Sequence, residues 1–553
     1  MTHQDLPPGP RLPAAVQTVQ ALSGRHTTFP ALRRRYGSTF TVRMLPGPQR
    51  YVMFSDPAAI KEIFAGDPGE FSGAKGNEVL RAAMGDRSVM LHDVQEHRRI
   101  RRYLMPAFSP AAVAGYRPLV REIARDEVAR WRQGSTVATL DRMSAITLEV
   151  MLRVVFGVTD GERLDRLRPR VQHLVDVDPV VALGWMYPRL RTLPPWRGQK
   201  RNLREVDALI HAEIAARRAS PDAADGPDLL SRLMRVGRDD GAEPLADDEL
   251  RDQLVTLLLA GYETSASALS WTLHELGRDE TVRARAQRAA DAGEEPYLEA
   301  CLKEGMRLHP IIDFVARTLT TDRTVGGWRL PGGVTVAPAI MLTHLDEEHF
   351  PEPARYRPER FVDGSPPANT WIPFGGGVRR CVGAGFALME GVVVLTEVLR
   401  RYAVVADRPS PNRLRNITNV PGDGAPVRLL PRGPAPGAPE DGRPASAKPP
   451  RRGPARGVAG RGYGRAVRTS GPASVSAMVC SLCAPRDPSA LRSVQPSRSV
   501  KMRPVHCSSH GSIAITSPGR SGRPRPGRPS LGTCGSPCMV RPTPCPPNWR
   551  LTV

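Results

Sequence analysis

The chain reads as mainly α with a small β-rich part, an α+β arrangement in which long helices supply the core. Two helical patterns and one hairpin predict it. Ala111 to Ala219 keeps the apolar spacing of amphipathic helices, broken at Gly134, at Gly157 to Gly161 and at the proline-rich Pro188 to Pro195. Asp247 to Leu276 is one helical pattern, about 45 Å long at a rise of ~1.5 Å per residue. Thr39 to Met44 and Gln49 to Phe54 are short strand-like runs on either side of Pro46-Gly47-Pro48, which makes them a hairpin.

Charge divides the chain near Arg432. The 553 residues carry a net charge of +22, and residues 431–553 alone hold 20 Lys+Arg against 3 Asp+Glu, so most of the basic excess is local. The same stretch has 22 Pro and 15 Gly, a composition that cannot bury enough apolar surface to order itself. Residues 1–432 are therefore read as the folded domain, and residues 433–553 as a basic Pro/Gly/Arg-rich tail expected to be disordered. Cys480, Cys483, Cys534 and Cys538 in the tail have no apolar frame for a zinc site. With Tyr463 and Trp549 as its aromatics, the tail lacks the stacking platforms of a nucleic-acid binder. No apolar run reaches membrane length, and Cys301 and Cys381 are too few in the first 430 residues for a disulfide framework. A soluble, cytoplasmic protein is expected.

The other elements follow in order. Pro7 to Pro13 is a stiff lead-in, Phe29 to Tyr36 a helix, and Asp56 to Phe64 a helix opened by Asp-Pro. The glycine-broken Gly66 to Gly85 reads as a loop that could line a pocket. Asp93 to Leu104 is a charge-dense helix with His97 and Arg101 four apart on one face, while Arg98, Arg99 and Arg102 read first as solvated charges. Val180 to Trp185 is an apolar patch, either core or substrate entrance. Asp247-Asp248-Glu249 caps the long helix, and Ala260-Gly-Tyr-Glu-Thr264 then sets Glu263 and Thr264 in its apolar middle, where Gly and Thr invite a kink. Glu304 and Arg307 share a helical face, Ile311 to Val315 reads as a strand running up to Arg317, and Gly385 to Tyr402 is helical again.

One loop organises these pieces. In Phe374-Gly-Gly-Gly-Val-Arg-Arg-Cys-Val-Gly383 the three glycines allow a tight turn, and Gly383 lets a flat ligand lie against the main chain. Cys381 sits at the start of a helix, where backbone N–H groups favour a thiolate. Such a sulfur is a strong axial ligand for haem iron. Phe374, Gly377, Arg379, Cys381 and Gly383 fall in the order F-x-x-G-x-R-x-C-x-G, which resembles the haem-binding loop of the cytochrome P450 family.

The resemblance extends from about Leu6 to Arg432. It implies a helical triangular prism with a small β-rich region, haem b as cofactor and Cys381 as its metal ligand. It implies that His97 and Arg101, in H-x-x-x-R, hold one haem propionate and that Arg317 and Arg379 complete the cofactor contacts. Glu263 and Thr264, in A-G-x-E-T, resemble the oxygen-activating pair, with Thr264 holding water and Glu263 feeding protons. Glu304, Arg307 and Arg360 resemble a structural ion network that braces the cysteine loop. The implied reaction inserts one atom of O2 into a hydrophobic small molecule, a fatty acid, terpenoid or polyketide-like compound. No flavin or iron–sulfur motif is present, so electrons would come from a ferredoxin or flavodoxin and its reductase, met by Arg98, Arg99, Arg102 and Arg380. A haem-binding ligand sensor without turnover is the alternative.

Overall fold

In the computed structural model, residues 6–45, 49–157, 161–175, 196–219, 226–239 and 243–432 are described. Pro46 to Pro48, Val180 to Trp185 and the tail from residue 433 lie outside them. The helices and strands run α1 (Ala14–Ser23), α2 (Arg25–Tyr36), β1 (Thr39–Met44), β2 (Gln49–Phe54), α3 (Pro57–Ala65), β3 (Phe71–Ser72), α4 (Val94–Leu104), α5 (Pro110–Ala129), β4 (Thr136–Ala138) and α6 (Thr139–Phe156). They continue with α7 (Gly161–Val175), α8 (Trp196–Ala219), α9 (Leu229–Asp239), α10 (Asp247–Arg278), α11 (Glu280–Ala292), α12 (Glu295–Leu308), β5 (Arg317–Leu319), β6 (Arg323–Val325), β7 (Trp328–Leu330) and β8 (Thr335–Pro338). Last come α13 (Ile340–His344), α14 (Ala384–Arg401), β9 (Ala403–Val405), β10 (Asn412–Arg415), β11 (Thr418–Pro421) and β12 (Pro426–Leu430).

The expected hairpin is present with its expected bounds, β1 pairing antiparallel with β2 and Phe40 opposite Met53. It joins a five-stranded sheet of order β1-β2-β8-β5-β3, in which β2 and β8 run parallel. Asp56 caps α3 by accepting from the Ala59 N–H at 2.8 Å. Two sequence expectations are corrected. Ile311 to Val315 forms bends, and the strand begins at Arg317 itself. Gly66 to Gly85 is broken into β3 and short helical turns at Gly73–Gly76 and Arg81–Met84, because its glycines interrupt any longer period.

Helix α10 is the centre of the packing. Leu254, Leu258, Leu269, Trp271 and Leu276 on it are almost fully buried, in one core with side chains from α5, α6, α12 and α14. Its cap differs from expectation, since Asp247 is already helical and Ala246 precedes it. Glu249 closes the turn by accepting from the Ala246 N–H at 2.9 Å. Gly261 makes no break in the helix; a Cβ there would stand 2.7 Å from Met151 on α6, so the glycine allows the two helices to pack closely. The first turns of α10 hold the segment before α4: Asp252 accepts from the Arg87 N–H at 2.8 Å, Gln253 from the Val89 N–H at 2.9 Å, and Thr256 donates to the Ser88 hydroxyl at 2.7 Å. No helix among the described residues is long and apolar enough to cross a membrane.

One core carboxyl is chemically unusual. Glu390 on α14 is fully buried and has no hydrogen-bond partner for either oxygen among the described residues. Burial pushes its pKa from 4.5 to about 8, and Ser265 on α10 offsets only part of that. The folded protein keeps a proton that the unfolded chain releases, so stability falls as pH rises from 4.5 to about 8 and levels off above. Glu390→Gln cannot ionise. Its melting temperature is expected to gain on the parent's between about pH 5 and pH 8; a gap that stays constant over that range would show that Glu390 is not held protonated.

Candidate active site

The Cys381 loop is closed by its own backbone. The Cys381 N–H donates to Phe374 O at 3.0 Å, the Gly375 N–H to Ile372 O at 3.0 Å and the Arg380 N–H to Gly377 O at 3.1 Å. Gly377 has φ +64°, and a Cβ there would lie 2.0 Å from the Phe64 carbonyl oxygen, so only glycine fits. Phe374 is half-buried, edge-on to Trp371 with ring centres 6.0 Å apart.

The loop hangs from a buried ion network. Arg307 donates to both oxygens of Glu304 at 2.7 and 2.8 Å, with both side chains fully buried. Glu304 also accepts from Arg360 Nε at 3.3 Å and from the Arg357 N–H at 2.9 Å. The expected Glu304–Arg307–Arg360 group is therefore assembled. Its link to the loop is His344, which sequence reasoning missed: Arg307 donates to His344 O at 2.9 Å, and the Ile372 N–H donates to His344 Nε2 at 2.8 Å. Burial pushes the His344 pKa down to about 3, so Nε2 keeps its lone pair free to accept. The available signal was a lone histidine ending the apolar run Ala339-Ile-Met-Leu-Thr-His344.

Cys381 is exposed, yet the protein around its sulfur pushes the thiol pKa up by desolvation, against the Gly383 amide, Arg380 and Arg101, which favour the anion. The helix start therefore helps less than expected, and deprotonation falls to a bound cation. Gly383 has an ordinary φ of −88°, and a Cβ there would meet only Phe108, at 3.8 Å. No contact within the protein demands glycine at that position.

Three arginines and a histidine converge here from three elements. His97 and Arg101 lie on α4, Arg317 opens β5 and Arg379 belongs to the loop. Burial lowers the His97 pKa to about 4, helped by Arg379, Arg101 and Arg317 and opposed by Asp93. Arg317 is 8% exposed, and burial followed by Arg379 takes its pKa down to about 10. Arg379 pairs with Asp93 at 2.5 Å. Arg101 donates to Arg380 O at 2.7 Å, and Arg317 to Ala316 O at 2.8 Å. Among the described residues neither has a carboxylate partner. Arg101 is half-buried, but Arg317 is a buried cation without an anion, which is costly, and a ligand bringing two carboxylates beside a thiolate-bound metal fits this donor set.

The sequence profile of the cytochrome P450 family matches residues 6–422. The chain belongs to the cytochrome P450 family. A Mycobacterium tuberculosis protein named as cytochrome P450 135A1 is 46% identical over 430 residues, covering 77% of this chain and 96% of that relative. A Mycobacterium bovis protein named as cytochrome P450 135B1 is 43% identical over 433 residues, covering 77% and 91%. Among solved structures, the retinoic acid-bound cyanobacterial CYP120A1 aligns with a TM-score of 0.67 at 25% identity, over 77% of this chain and 99% of that one. Like its family, this P450 is a haem b oxidoreductase of the monooxygenase class.

In this P450, α10 carries the two remaining predicted residues. Although most of the helix is buried, Ala260 is exposed and Leu259, Gly261 and Thr264 are half-buried, so the packing leaves this one stretch of the helix partly open. Thr264 Oγ1 donates to Ala260 O at 2.7 Å. Glu263 is buried, and Arg415 Nε on β10 donates to its Oε1 at 2.5 Å. Asp313, unexplained in the sequence, anchors the bends before β5 through Arg25 at 3.0 Å. The late hairpin meets these bends where the Asn419 N–H donates to Ile311 O at 2.8 Å. Arg317→Gln tests the charge imbalance with two opposite signs. Haem-free protein is expected to melt no lower than the parent, since a costly buried charge is gone, while haem transfer to an acceptor globin speeds up by roughly tenfold, ~1.4 kcal/mol. A lowered melting point in the haem-free form would refute this reading.

Proposed function

We propose that this P450 binds haem b through Cys381 and inserts an oxygen atom from O2 into a hydrophobic small molecule, a fatty acid, terpenoid or polyketide-like compound. The observation that carries the haem site is the convergence of Arg101, Arg317, Arg379 and the buried, neutral His97 beside the cysteine loop, with Arg317 buried and without a carboxylate partner among the described residues. His97, Arg101, Arg317 and Arg379 would hold the propionates, with Phe374 and Gly383 against the ring. Bound haem supplies the activation of O2; the protein's residues bind substrate, exclude water and handle protons. Thr264 Oγ1 keeps its lone pairs for a water while its own proton goes to Ala260 O. Glu263, one residue earlier, is the carboxylate that passes protons inward.

Met90, Phe108 and Leu259 at the edge of one core and Ile312 and Val315 at the edge of another are apolar side chains left only partly buried, which supports a hydrophobic substrate. A panel of fatty acids, polyketide-like lipids and terpenoids, including the retinoic acid bound by the structural neighbour, would be titrated while the Soret band is followed. A shift with one class alone assigns the substrate class. We further infer that residues 1–432 form the catalytic unit and that the enzyme works in the cytoplasm.

Cys381→Ser is expected to abolish the red-shifted carbon monoxide Soret band of the reduced protein, and a chain ending at Arg432 to retain it. Loss of the band in Cys301→Ser but not in Cys381→Ser would overturn the ligand assignment.

A ferredoxin or flavodoxin, with its reductase, is proposed as electron source. Arg98 and Arg102 line a cavity of about 340 Å³ with Pro68, Val94, His97, Arg101 and Val378, and both valines are exposed, so Arg98 and Arg102 offer positive charge around an apolar centre. Arg99 is not part of this offer, because it pairs with Glu96 and Glu249. Arg98→Glu with Arg102→Glu is expected to slow reduction by an acidic ferredoxin and flatten its salt dependence, since exposed charges are screened beyond ~10 Å at about 0.1 M salt. Reduction by dithionite should not change. An undiminished salt slope would place docking elsewhere.

A further inference from the structure

Helix α1 presents its aliphatic side chains outward and polar ones inward. Val16, Val19 and Leu22 are exposed, Val19 at 52%, and Leu12 is exposed just ahead of the helix. At about 100° per residue, steps of three bring Val16, Val19 and Leu22 within roughly a third of the helix circumference, and buried Gln17 and Ala21 lie on the other side. The inward polar groups are spent on main chain. Gln17 Nε2 donates to Leu12 O at 2.7 Å and to Pro10 O at 3.2 Å, while its Oε1 accepts from the Arg43 N–H at 2.9 Å. Thr18 Oγ1 donates to Ala14 O at 2.8 Å and accepts from the Leu45 N–H at 2.9 Å. These bonds serve the outer edge of β1, the first strand of its sheet, and fix the helix with its aliphatic stripe in water. Surface helices ordinarily turn such a stripe toward the core.

Arginines without a counter-charge adjoin the stripe. Residues 6–54 contain seven Arg and no Asp or Glu. Arg25 and Arg33 are used within the protein, on Asp313 and Asp346. Arg11, Arg43 and Arg50 have no carboxylate partner among the described residues. Arg11 directly precedes Leu12, and Arg43 is tied to α1 through Gln17. Arg43 and Arg50 stand directly opposite each other in the β1–β2 hairpin, with exposed Leu45 just beyond β1. Like charges across a strand pair repel, and an anion beside them would remove that cost.

We propose that α1 and the end of the β1–β2 hairpin form a docking surface for an anionic lipid membrane, on which the protein lies without a spanning helix among its described residues. Aliphatic side chains enter the headgroup boundary and arginines meet the phosphates, the two attractions that hold a helix in the plane of a bilayer. The stripe is Val and Leu alone, without the aromatic anchors that dominate protein interfaces. Its arginines have no fixed complement, which suits a fluid surface of uniform charge. A second copy of the chain would bring arginines against arginines. Residues 431–553, with 20 Lys+Arg against 3 Asp+Glu, add the same attraction from the other end of the chain. Two weak membrane signals together give an attachment that one alone does not.

The test separates the stripe from the basic tail. Haem-loaded full-length protein is sedimented with vesicles of phosphatidylcholine alone or mixed with phosphatidylglycerol. The parent is expected to bind the anionic vesicles roughly tenfold more tightly than the neutral ones, and less tightly as salt rises. Val16→Gln with Val19→Gln keeps the net charge and good helix formers. It is expected to weaken binding to anionic vesicles by on the order of tenfold, with the melting temperature and the carbon monoxide band unchanged. Leu22→Gln repeats the test at a second position of the stripe, should the double variant fold poorly. Arg43→Gln with Arg50→Gln is expected to weaken binding as well, while melting no lower than the parent because a repulsive pair is gone. Unchanged affinity in the valine and leucine variants would assign all binding to the basic tail and overturn the docking surface. Equal binding to neutral vesicles would overturn the anionic assignment. A parent that binds no vesicles, or that self-associates through the stripe, would overturn the lipid in favour of a protein partner.

Discussion

Around the Cys381 loop, three arginines and the neutral His97 meet one carboxylate among the described residues, that of Asp93, and this imbalance constrains the rest of the site. Isolated charges in a low-dielectric interior cost several kcal/mol each unless paired. The protein limits the cost by keeping His97 neutral and by letting Asp93 serve Arg379. What remains is offset by the anionic edge of the haem on the proposed reading, so cofactor retention and stability become one quantity. That requires the four groups to be held in place before haem arrives. Arg317 is held by the five-stranded sheet, and α4 by the first turns of α10 acting on residues 87–89.

The same economy appears on the loop's other side. Glu304 and Arg307 neutralise each other with almost no solvent, so truncating one would strand the other at about 3–5 kcal/mol. Their function is geometric. Through His344 the network reaches the Ile372 N–H, and from Ile372 the loop turns back on itself to present Cys381. A histidine that stays unprotonated is needed there, because a protonated ring could not accept.

The long helix joins the two halves. Its first turns set α4, its middle leaves Ala260 exposed and Thr264 half-buried, and its carboxylate Glu263 reaches the hairpin that follows α14. One rigid element thus relates the arginine-lined cradle, the partly exposed Ala260–Thr264 face and the C-terminal hairpin. A change in any of them is felt at a distance set by that helix.

Local patterns determined a good deal on their own. The apolar period marked α10 and α14, the Pro-Gly-Pro break marked the hairpin, and Asp56 marked the start of α3, because each depends on residues a few positions apart. The spacing around Cys381 likewise pointed to the loop, since turn glycines and a ligand act within ten residues. Tertiary structure alone decided the partners. That Arg99 is spent on Glu249, that Glu263 faces Arg415, and that His344 carries the loop depend on residues tens to hundreds of positions away meeting in space. The net direction of the Cys381 pKa was decided there too. Burial is a property of the whole packing, and no spacing within the loop encodes it.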